Sequence, residues 1–159
     1  MTVSIRAAQP ADNALIFALI CELADYENLQ GEVDATPEEI AAALFAPQPR
    51  LYCDIAEWNG RPAGFAVWFL NFSTFRGRHG MYLEDLYVRP EFRKKGLGID
   101  LIKAVARIGV QRNCGRFEWT ALNWNKPALD FYARLGAQTM DEWVLLRLDA
   151  EGLRRVAGE

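Results

Sequence analysis

The sequence has few of the residues that bind transition metals. His79 is the only histidine, and the three cysteines, Cys21, Cys53 and Cys114, lie far apart and form no C-x-x-C pair. A structural zinc site needs four clustered cysteine or histidine ligands, so we expect no metal site. An odd number of scattered cysteines is typical of reduced thiols, which favours a cytoplasmic location.

Long apolar runs and an excess of positive charge are also missing. The longest apolar run, residues 63–70, is far shorter than the roughly 20 residues that cross a bilayer, and the N-terminal residues do not have the pattern of a signal peptide. The net charge of −3 argues against a general nucleic-acid binder. We therefore expect neither a membrane nor a nucleic acid as a partner.

The size and composition are those of a soluble globular protein. The chain has 159 residues, of which 51% are hydrophobic and 25% are charged. A chain of this length normally forms one domain and buries roughly 70% of the surface that it exposes when unfolded. We expect a single domain over residues 1–159.

Apolar spacing and turn signals predict an α/β domain with a mostly antiparallel N-terminal half. Helices are predicted from Pro10 to about Tyr26, from the Thr36 capping box to about Phe45, and over residues 97–112 and 126–135. Strands are predicted over residues 3–7, 51–58, 62–72, 81–88, 116–122 and 142–148, with a loop at 73–80. Asn59-Gly60 is typical of a hairpin turn in which both residues have positive φ.

A short basic turn containing two glycines lies between a predicted strand and a predicted helix. Residues 93–99 read RKKGLGI, and the helix that follows carries Asp100, which we expect to point away along its axis. The first N–H groups of a helix have no internal partners and carry the positive end of its dipole, so they bind anions. Glycine lets a phosphate approach the backbone. The turn predicts a phosphate site, for which a nucleotide, a dinucleotide and CoA all remain candidates.

Five segments match one known family in order along the chain. They are IRAA from residue 5, ELADYE from 22, YLEDLYV from 82, RKKGLG from 93 and WNKPALDFY from 124. The chain thereby resembles the GNAT superfamily of acetyl-CoA-dependent N-acetyltransferases, and within it the spermidine/spermine (diamine) and thialysine acetyltransferase branch. The resemblance implies a twisted, mixed, mostly antiparallel sheet of six to seven strands with about four helices. A splayed strand pair would form the acetyl-CoA slot.

The resemblance implies acetyl-CoA as co-substrate and assigns residues to it. The pyrophosphate would lie over the glycine motif, formed by Arg93, Lys94, Lys95, Gly96, Leu97, Gly98 and Ile99. Main-chain groups of Leu86, Tyr87 and Val88 would bind the pantetheine amides. Asn125 would hydrogen-bond the cofactor arm, although Asn-Lys-Pro can also cap a helix. Ile99 departs from close relatives, which often carry a hydroxyl at that position.

Tyr132 is the candidate general acid. When an amine attacks a thioester, a thiolate leaves. A free thiol has a pKa of about 8.5 and a phenol about 10, so proton transfer between them is near balance. The alternative for Tyr132 is a helix residue that only packs its ring.

The resemblance places the amine near Glu84, Asp85, Tyr26 and Glu27. A lysine-like amine has a pKa of about 10.4, so a carboxylate or an ordered water must take its proton. Glu84 is assigned as amine ligand and as base through water; an edge-strand salt bridge is the alternative. Neighbouring residues of a strand face opposite sides, so Glu84 and Asp85 can share the site only if the strand bulges.

These residues together predict acetyl transfer to a primary amine of a small polycationic or lysine-like molecule by direct attack. By the resemblance, the loop after Gly136 is shorter than in the polyamine enzymes, which disfavours long polyamines. Alternatives are acetylation of a protein N-terminus or an amino sugar, or a non-catalytic acyl-CoA sensor, which the presence of Tyr132 and Glu84 disfavours. The resemblance also implies a homodimer, and the apolar residues 143–148 could pair between subunits.

Overall fold

The computed structural model describes residues 2–159, which form two compact units. The first unit runs to Thr120 and contains a sheet and three α-helices. The second unit, Ala121–Glu159, contains two α-helices.

Five strands and five α-helices are present within residues 2–159. The strands are β1 Val3–Ala7, β2 Tyr52–Trp58, β3 Arg61–Ser73, β4 Arg78–Val88 and β5 Phe117–Trp119. The helices are α1 Asn13–Glu27, α2 Pro37–Leu44, α3 Leu97–Gln111, α4 Lys126–Arg134 and α5 Ala150–Ala157. Short 3-10 helices lie between these elements, at Pro10–Asp12, Gln30–Glu32 and Pro90–Phe92.

The sheet has the order β1-β2-β3-β4-β5. The first three strand pairs are antiparallel, whereas β4 and β5 are parallel. A parallel pair needs a crossover connection, which α3 supplies. The mixed, mostly antiparallel α/β fold predicted from the sequence is therefore confirmed.

Two apolar cores cover the two faces of this sheet. On one face, strand residues such as Val67 and Tyr87 pack with Ile16 and Leu19 of α1. On the other face, strand residues such as Leu83 pack with α3. We call these the α1 face and the α3 face.

Two turn and cap signals read from the sequence are present. Thr36 and Glu39 form the reciprocal capping box at the start of α2. Asn59 and Gly60 have φ of 50° and 74°, as a two-residue hairpin turn requires.

Several sequence-based boundaries were wrong. Residues 73–80 were predicted as a loop, but cross-strand pairing continues to Ser73↔Arg78, so only residues 74–77 form the turn between β3 and β4. The strand predicted at 116–122 shortens to three residues. The sheet has five strands rather than six to seven, and five α-helices replace the predicted four.

The predicted last strand, residues 142–148, does not form in the part of the chain that the structure describes. A strand exists only where its backbone pairs with a neighbour, and apolar composition cannot show whether a neighbour is there. Helix α5 follows instead, with Asp149 as its N-cap. Helix α5 was not predicted from the sequence, since Gly152 is a poor helix residue.

Residues 2–159 contain neither a membrane-spanning helix nor a cluster of metal ligands. No helix among them is both long enough and apolar enough to cross a membrane. No group of three or more His, Cys, Asp or Glu side chains within residues 2–159 is placed to hold a metal ion.

Candidate active site

Strand β4 contains a bulge at Glu84. Val67 of β3 pairs with Asp85, but its neighbour Trp68 pairs with Leu83, so Glu84 is an extra residue on β4. Leu83 packs on the α3 face and Tyr87 on the α1 face. In a regular strand residues four apart share a face, so the bulge has shifted the alternation by one residue.

The bulge places both acidic side chains on the α1 face. Asp85 pairs with Val67, which packs on that face, and directly paired residues lie on the same side. Glu84 follows Leu83, which faces α3, so regular alternation directs Glu84 to the α1 face as well. The condition under which Glu84 and Asp85 could share a site is met.

Glu27, at the C-terminal end of α1, belongs to the same acidic cluster. The pKa of Asp85 is raised to about 7, first by burial and then by the negative charges of Glu84 and Glu27. Burial also raises the pKa of Glu27. The C-terminus of α1 adds the negative end of a helix dipole. The cluster can therefore attract a cation, and Asp85 can accept a proton near neutral pH.

The bulge also decides which main-chain groups of β4 face its β5 edge. The amide of Met81 donates to Arg116 next to β5, whereas the amide of Arg89, eight residues on, donates to Ala63 of β3. In a regular strand, amides eight residues apart point to the same edge. The two amides point to opposite edges here, because the extra residue Glu84 reverses the alternation of main-chain groups. Beyond the bulge, Leu86 and Val88 direct their N–H and C=O groups to the β5 edge.

The β4–β5 ladder ends before these groups. Its last pair is Leu83 with Trp119, and β4 continues to Val88. The part of β4 beyond Leu83 therefore has no β5 partner, because β5 itself ends at Trp119; the splayed strand pair that the family resemblance implies stays a prediction. The main chain of Leu86 and Val88 can therefore serve a ligand with amide groups, whereas the carbonyl of Tyr87 points to Gly64 of β3.

Gly64 permits the close approach of β3 and β4 at this point. A Cβ on Gly64 would overlap the Tyr87 carbonyl oxygen and lie 3.0 Å from the Val88 Cα. Both obstacles are backbone atoms, so neither can rotate away. The glycine keeps β4 in register along the stretch that presents Leu86 and Val88.

We expect Gly64→Ala to lower the free energy of unfolding by about 2 kcal/mol, because the strands must separate to admit the methyl group. Urea unfolding followed by tryptophan fluorescence measures this change. Gly31→Ala is the matched control, since nothing lies within 4 Å of its Cβ position. It should change the free energy by less than about 0.5 kcal/mol. Equal effects of the two substitutions would contradict the close-approach argument.

The glycine motif forms the predicted turn into α3. Lys94 and Gly96 have φ of 61° and 88°, and Gly96 is the N-cap of the helix. Because glycine has no side chain, the cap offers no side-chain acceptor to the first-turn N–H groups, including those of Gly98 and Ile99. These donors and the helix dipole suit a phosphate.

The three cations of the motif do not act alike. Lys95 donates through Nζ to the Glu91 carbonyl at 2.9 Å and lies 5.0 Å from the Trp58 ring. The Arg93 side chain folds onto β4 and α1. Lys94 is exposed at the positive-φ position, which leaves it the best placed of the three to meet a phosphate.

Asp100 does not point away from the turn. Its Oδ2 lies 4.0 Å from the position that a Cβ on Gly96 would take. A carboxylate in the first turn stabilises the helix through the dipole. The same carboxylate would repel an arriving phosphate, so the site depends on Lys94 and the backbone donors.

In the second unit, Asn125 is the N-cap of α4. Its Oδ1 accepts from the Ala128 amide at 3.4 Å, and the residue is buried. This confirms the capping role that the sequence left open, and the cofactor role stays a prediction. Gly136 ends the helix with φ of 84°, and the Ala137 amide donates to the Tyr132 carbonyl at 3.2 Å.

Tyr132 lies in the C-terminal half of α4 and is partly exposed. Its ring centroid is 5.4 Å from that of Phe131. Asn125 caps the start of the helix that carries Tyr132, and Gly136 follows its end. Its role as general acid stays a prediction.

The ion pair that ties α1 to the end of β4 was not predicted from the sequence. Arg89 donates from Nε and Nη2 to the Glu22 carboxylate, at 2.7 Å for the shortest contact, and from Nη1 to the Pro62 carbonyl at 3.0 Å. The arginine immediately after a predicted strand was the available signal. The pair anchors the helix whose last turn carries Tyr26 and Glu27.

Comparisons with known proteins identify the family of this chain. Residues 17–137 match the model of the acetyltransferase (GNAT) family. The thialysine N-epsilon-acetyltransferase of Bos taurus is 37% identical over 168 residues, covering 99% of this chain and 98% of the relative. The human spermidine/spermine N(1)-acetyltransferase-like protein 1 is 29% identical and covers 98% of this chain and 24% of the relative.

A solved structure, the integron cassette protein VCH_CASS6 of V. cholerae, superposes with a TM-score of 0.82 at 29% identity. It covers 100% of this chain and 99% of the other. The resemblance to the thialysine and spermidine/spermine branch is confirmed. The chain belongs to the acetyltransferase (GNAT) family.

Proposed function

We propose that this protein transfers an acetyl group from acetyl-CoA to a primary amine of a small lysine-like or polyamine molecule. The observation that carries the proposal is the bulge in β4, which joins an acidic cluster to the open edge of one strand. The cluster suits an ammonium group, and the edge suits an amide-containing arm. The names of the thialysine and spermidine/spermine relatives support the same class of acceptor.

The acyl donor would be held by groups of the first unit. The N–H groups at the start of α3, with Lys94, would bind the pyrophosphate, and the main chain of Leu86 and Val88 would bind the pantetheine amides. When bound, acetyl-CoA supplies an activated acyl group. We assign Tyr87 to the packing of the α1 face rather than to the cofactor.

On the amine side, Asp85 is the better proton acceptor. Moving a proton from an amine of pKa about 10.4 to a carboxylate of pKa about 3.9 costs about 9 kcal/mol. With the pKa of Asp85 raised to about 7, the cost falls to about 5 kcal/mol. The base role that the family resemblance assigned to Glu84 is therefore reassigned to Asp85, and Glu84, with Glu27, holds the ammonium group.

Tyr132 completes the reaction as general acid for the departing thiolate, and Asn125 orders the helix that carries it. The amine attacks the thioester carbon directly, its proton passes to Asp85, and the thiolate takes a proton from Tyr132. Residues 1–159 are proposed to act as one catalytic domain. The proposed location is the cytoplasm, where acetyl-CoA and free amines meet.

A thiol-release assay tests the proposal. Purified protein is incubated with acetyl-CoA and separately with thialysine, lysine, ornithine, putrescine, spermidine, an amino sugar and a peptide with a free N-terminus. We expect CoA release with the lysine-like amines and short diamines, and mass spectrometry should find the acetyl group on a terminal amine. Release with none of the acceptors would refute the proposal, and release with the peptide alone would move it to protein N-termini.

A second copy of the chain is proposed as partner. Trp143, Val144, Leu145 and Leu146 are each at least 71% exposed. Such a run of exposed large apolar side chains is unusual on a monomer and typical of an interface. A homodimer would remove this surface from water.

Light scattering should give a mass of about 36 kDa, twice the 18.0 kDa of one chain. Leu146→Glu should shift the mass towards one chain, because a charge would be buried at the interface. Val110→Glu, at an apolar residue of α3 that is 79% exposed, is the control and should leave the mass unchanged. A wild-type mass of one chain would rule the dimer out.

A further inference from the structure

Arg93, the first residue of the glycine motif, is held by three groups of the protein. Its Nε donates to the Val88 carbonyl at 2.9 Å. Its guanidinium carbon lies 4.6 Å from the centroid of the Tyr26 ring and 5.7 Å from that of Tyr87. The side chain therefore joins the end of β4 to the last turn of α1.

These contacts compete with phosphate binding. To reach a phosphate, the guanidinium would have to leave two aromatic rings, and each such cation–π contact is stabilising. It would also leave the Val88 carbonyl without this donor. The first-turn N–H groups and Lys94 can bind an anion without any such loss.

We propose that Arg93 is a positioning residue for the pantetheine arm and the amine, and not a ligand of the CoA phosphates. The inference rests on the proposed function. Val88 is one of the two residues whose main chain faces the open edge of β4, so the Nε bond fixes the orientation of its peptide group. The stack on Tyr26 fixes the turn of α1 that carries Glu27.

Arginine suits this position better than lysine. A guanidinium is planar, so it can stack on a ring and donate a directed hydrogen bond at the same time. A lysine ammonium keeps the charge but cannot do both with the same geometry. Arg93→Lys therefore separates the charge from the positioning contacts.

The test compares two acyl donors, acetyl-CoA and S-acetylpantetheine, which lacks the phosphates and the nucleotide. We expect Arg93→Lys to raise the KM for both donors by a similar factor, on the order of tenfold, because the arm site is disturbed. Lys94→Ala is the comparison variant and should raise the KM for acetyl-CoA only. If Arg93→Lys raised the KM for acetyl-CoA but left that for S-acetylpantetheine unchanged, Arg93 would be a phosphate ligand and the proposal would be overturned.

A double-mutant cycle decides the inference even if no acceptor is turned over. Arg93→Lys, Tyr26→Leu and the double variant are unfolded in urea. We expect the two substitutions to be coupled by about fivefold in the unfolding equilibrium constant, because both remove the same contact. Additive effects would refute the positioning contact, whereas coupling without catalysis in the wild type would refute the proposed function alone.

Discussion

Replacing Asp85 by asparagine is expected to lower kcat/KM for the amine by about 10²-fold at pH 8. Positioned proton acceptors contribute about 10² to 10⁴ to catalysis, and asparagine keeps the shape of the side chain while losing its basicity. Steady-state thiol release with the best acceptor measures the change. Asp34→Asn, at an exposed residue between α1 and α2, is the matched control and should keep the wild-type rate.

The pH dependence of the rate tests the role of Asp85 separately. Asp85 accepts a proton only as a carboxylate, and its pKa is raised to about 7, so the wild-type rate should fall as pH drops through that value. Asp85→Asn should lack this acidic limb. A variant that kept the limb, or the full rate, would show that the proton goes elsewhere.

The same substitution is expected to stabilise the fold at high pH. A carboxyl whose pKa is raised in the folded state favours the protonated form, so its contribution to stability is complete below its unfolded pKa. That contribution is lost as pH rises through about 7. Asp85→Asn should therefore match the wild type near pH 4 and exceed it on the order of 2 kcal/mol at pH 8. Urea unfolding at the two pH values measures this, and a variant less stable than wild type at pH 8 would contradict the burial argument.

Tyr132→Phe is expected to lower kcat by about 10²-fold while leaving the affinity for acetyl-CoA near normal. The phenol hydroxyl is the proposed proton donor to the leaving thiolate, and phenylalanine removes only that group. Single-turnover rates and calorimetric binding of acetyl-CoA measure the two quantities separately.

Tyr52→Phe is the matched control. Tyr52 lies on β2, where its ring stacks on Trp68 with centroids 4.3 Å apart, and that stack does not need the hydroxyl. The control should keep the wild-type kcat. If Tyr132→Phe also kept it, Tyr132 would not be the acid; a loss of acetyl-CoA affinity with unchanged kcat would make it a binding residue.

The local parts of the fold could be predicted because they depend on neighbours in the sequence. The Thr36 capping box, the Asn59-Gly60 turn and the glycine cap of α3 each act within a few residues. The bulge at Glu84 could not be predicted, because it is a property of the register between β3 and β4. Without that register, the sequence predicts only that Glu84 and Asp85 face opposite sides of the strand unless the strand bulges.

The positions and pKa values of the charged side chains in the site also depend on residues that are distant in sequence, so they could not be predicted. The pattern of residues 93–95 indicates positive charge beside a helix N-terminus, but charge alone cannot show where a side chain folds. The aromatic rings that hold Arg93 lie on α1 and β4, and one of the two rings beside Lys95 lies on β2. The raised pKa of Asp85 likewise arises first from burial and then from Glu84 and Glu27, and both the burial and Glu27 depend on parts of the chain that are distant in sequence.

The most direct test of the account is a crystal structure with CoA and a lysine-like amine bound together. The account predicts hydrogen bonds from the pantetheine amides to the main chain of Leu86 and Val88. It also predicts an amine nitrogen within about 3 Å of a carboxylate oxygen of Asp85 or Glu84. A pantetheine arm bound away from the β4 edge, or an amine bound away from both carboxylates, would contradict it.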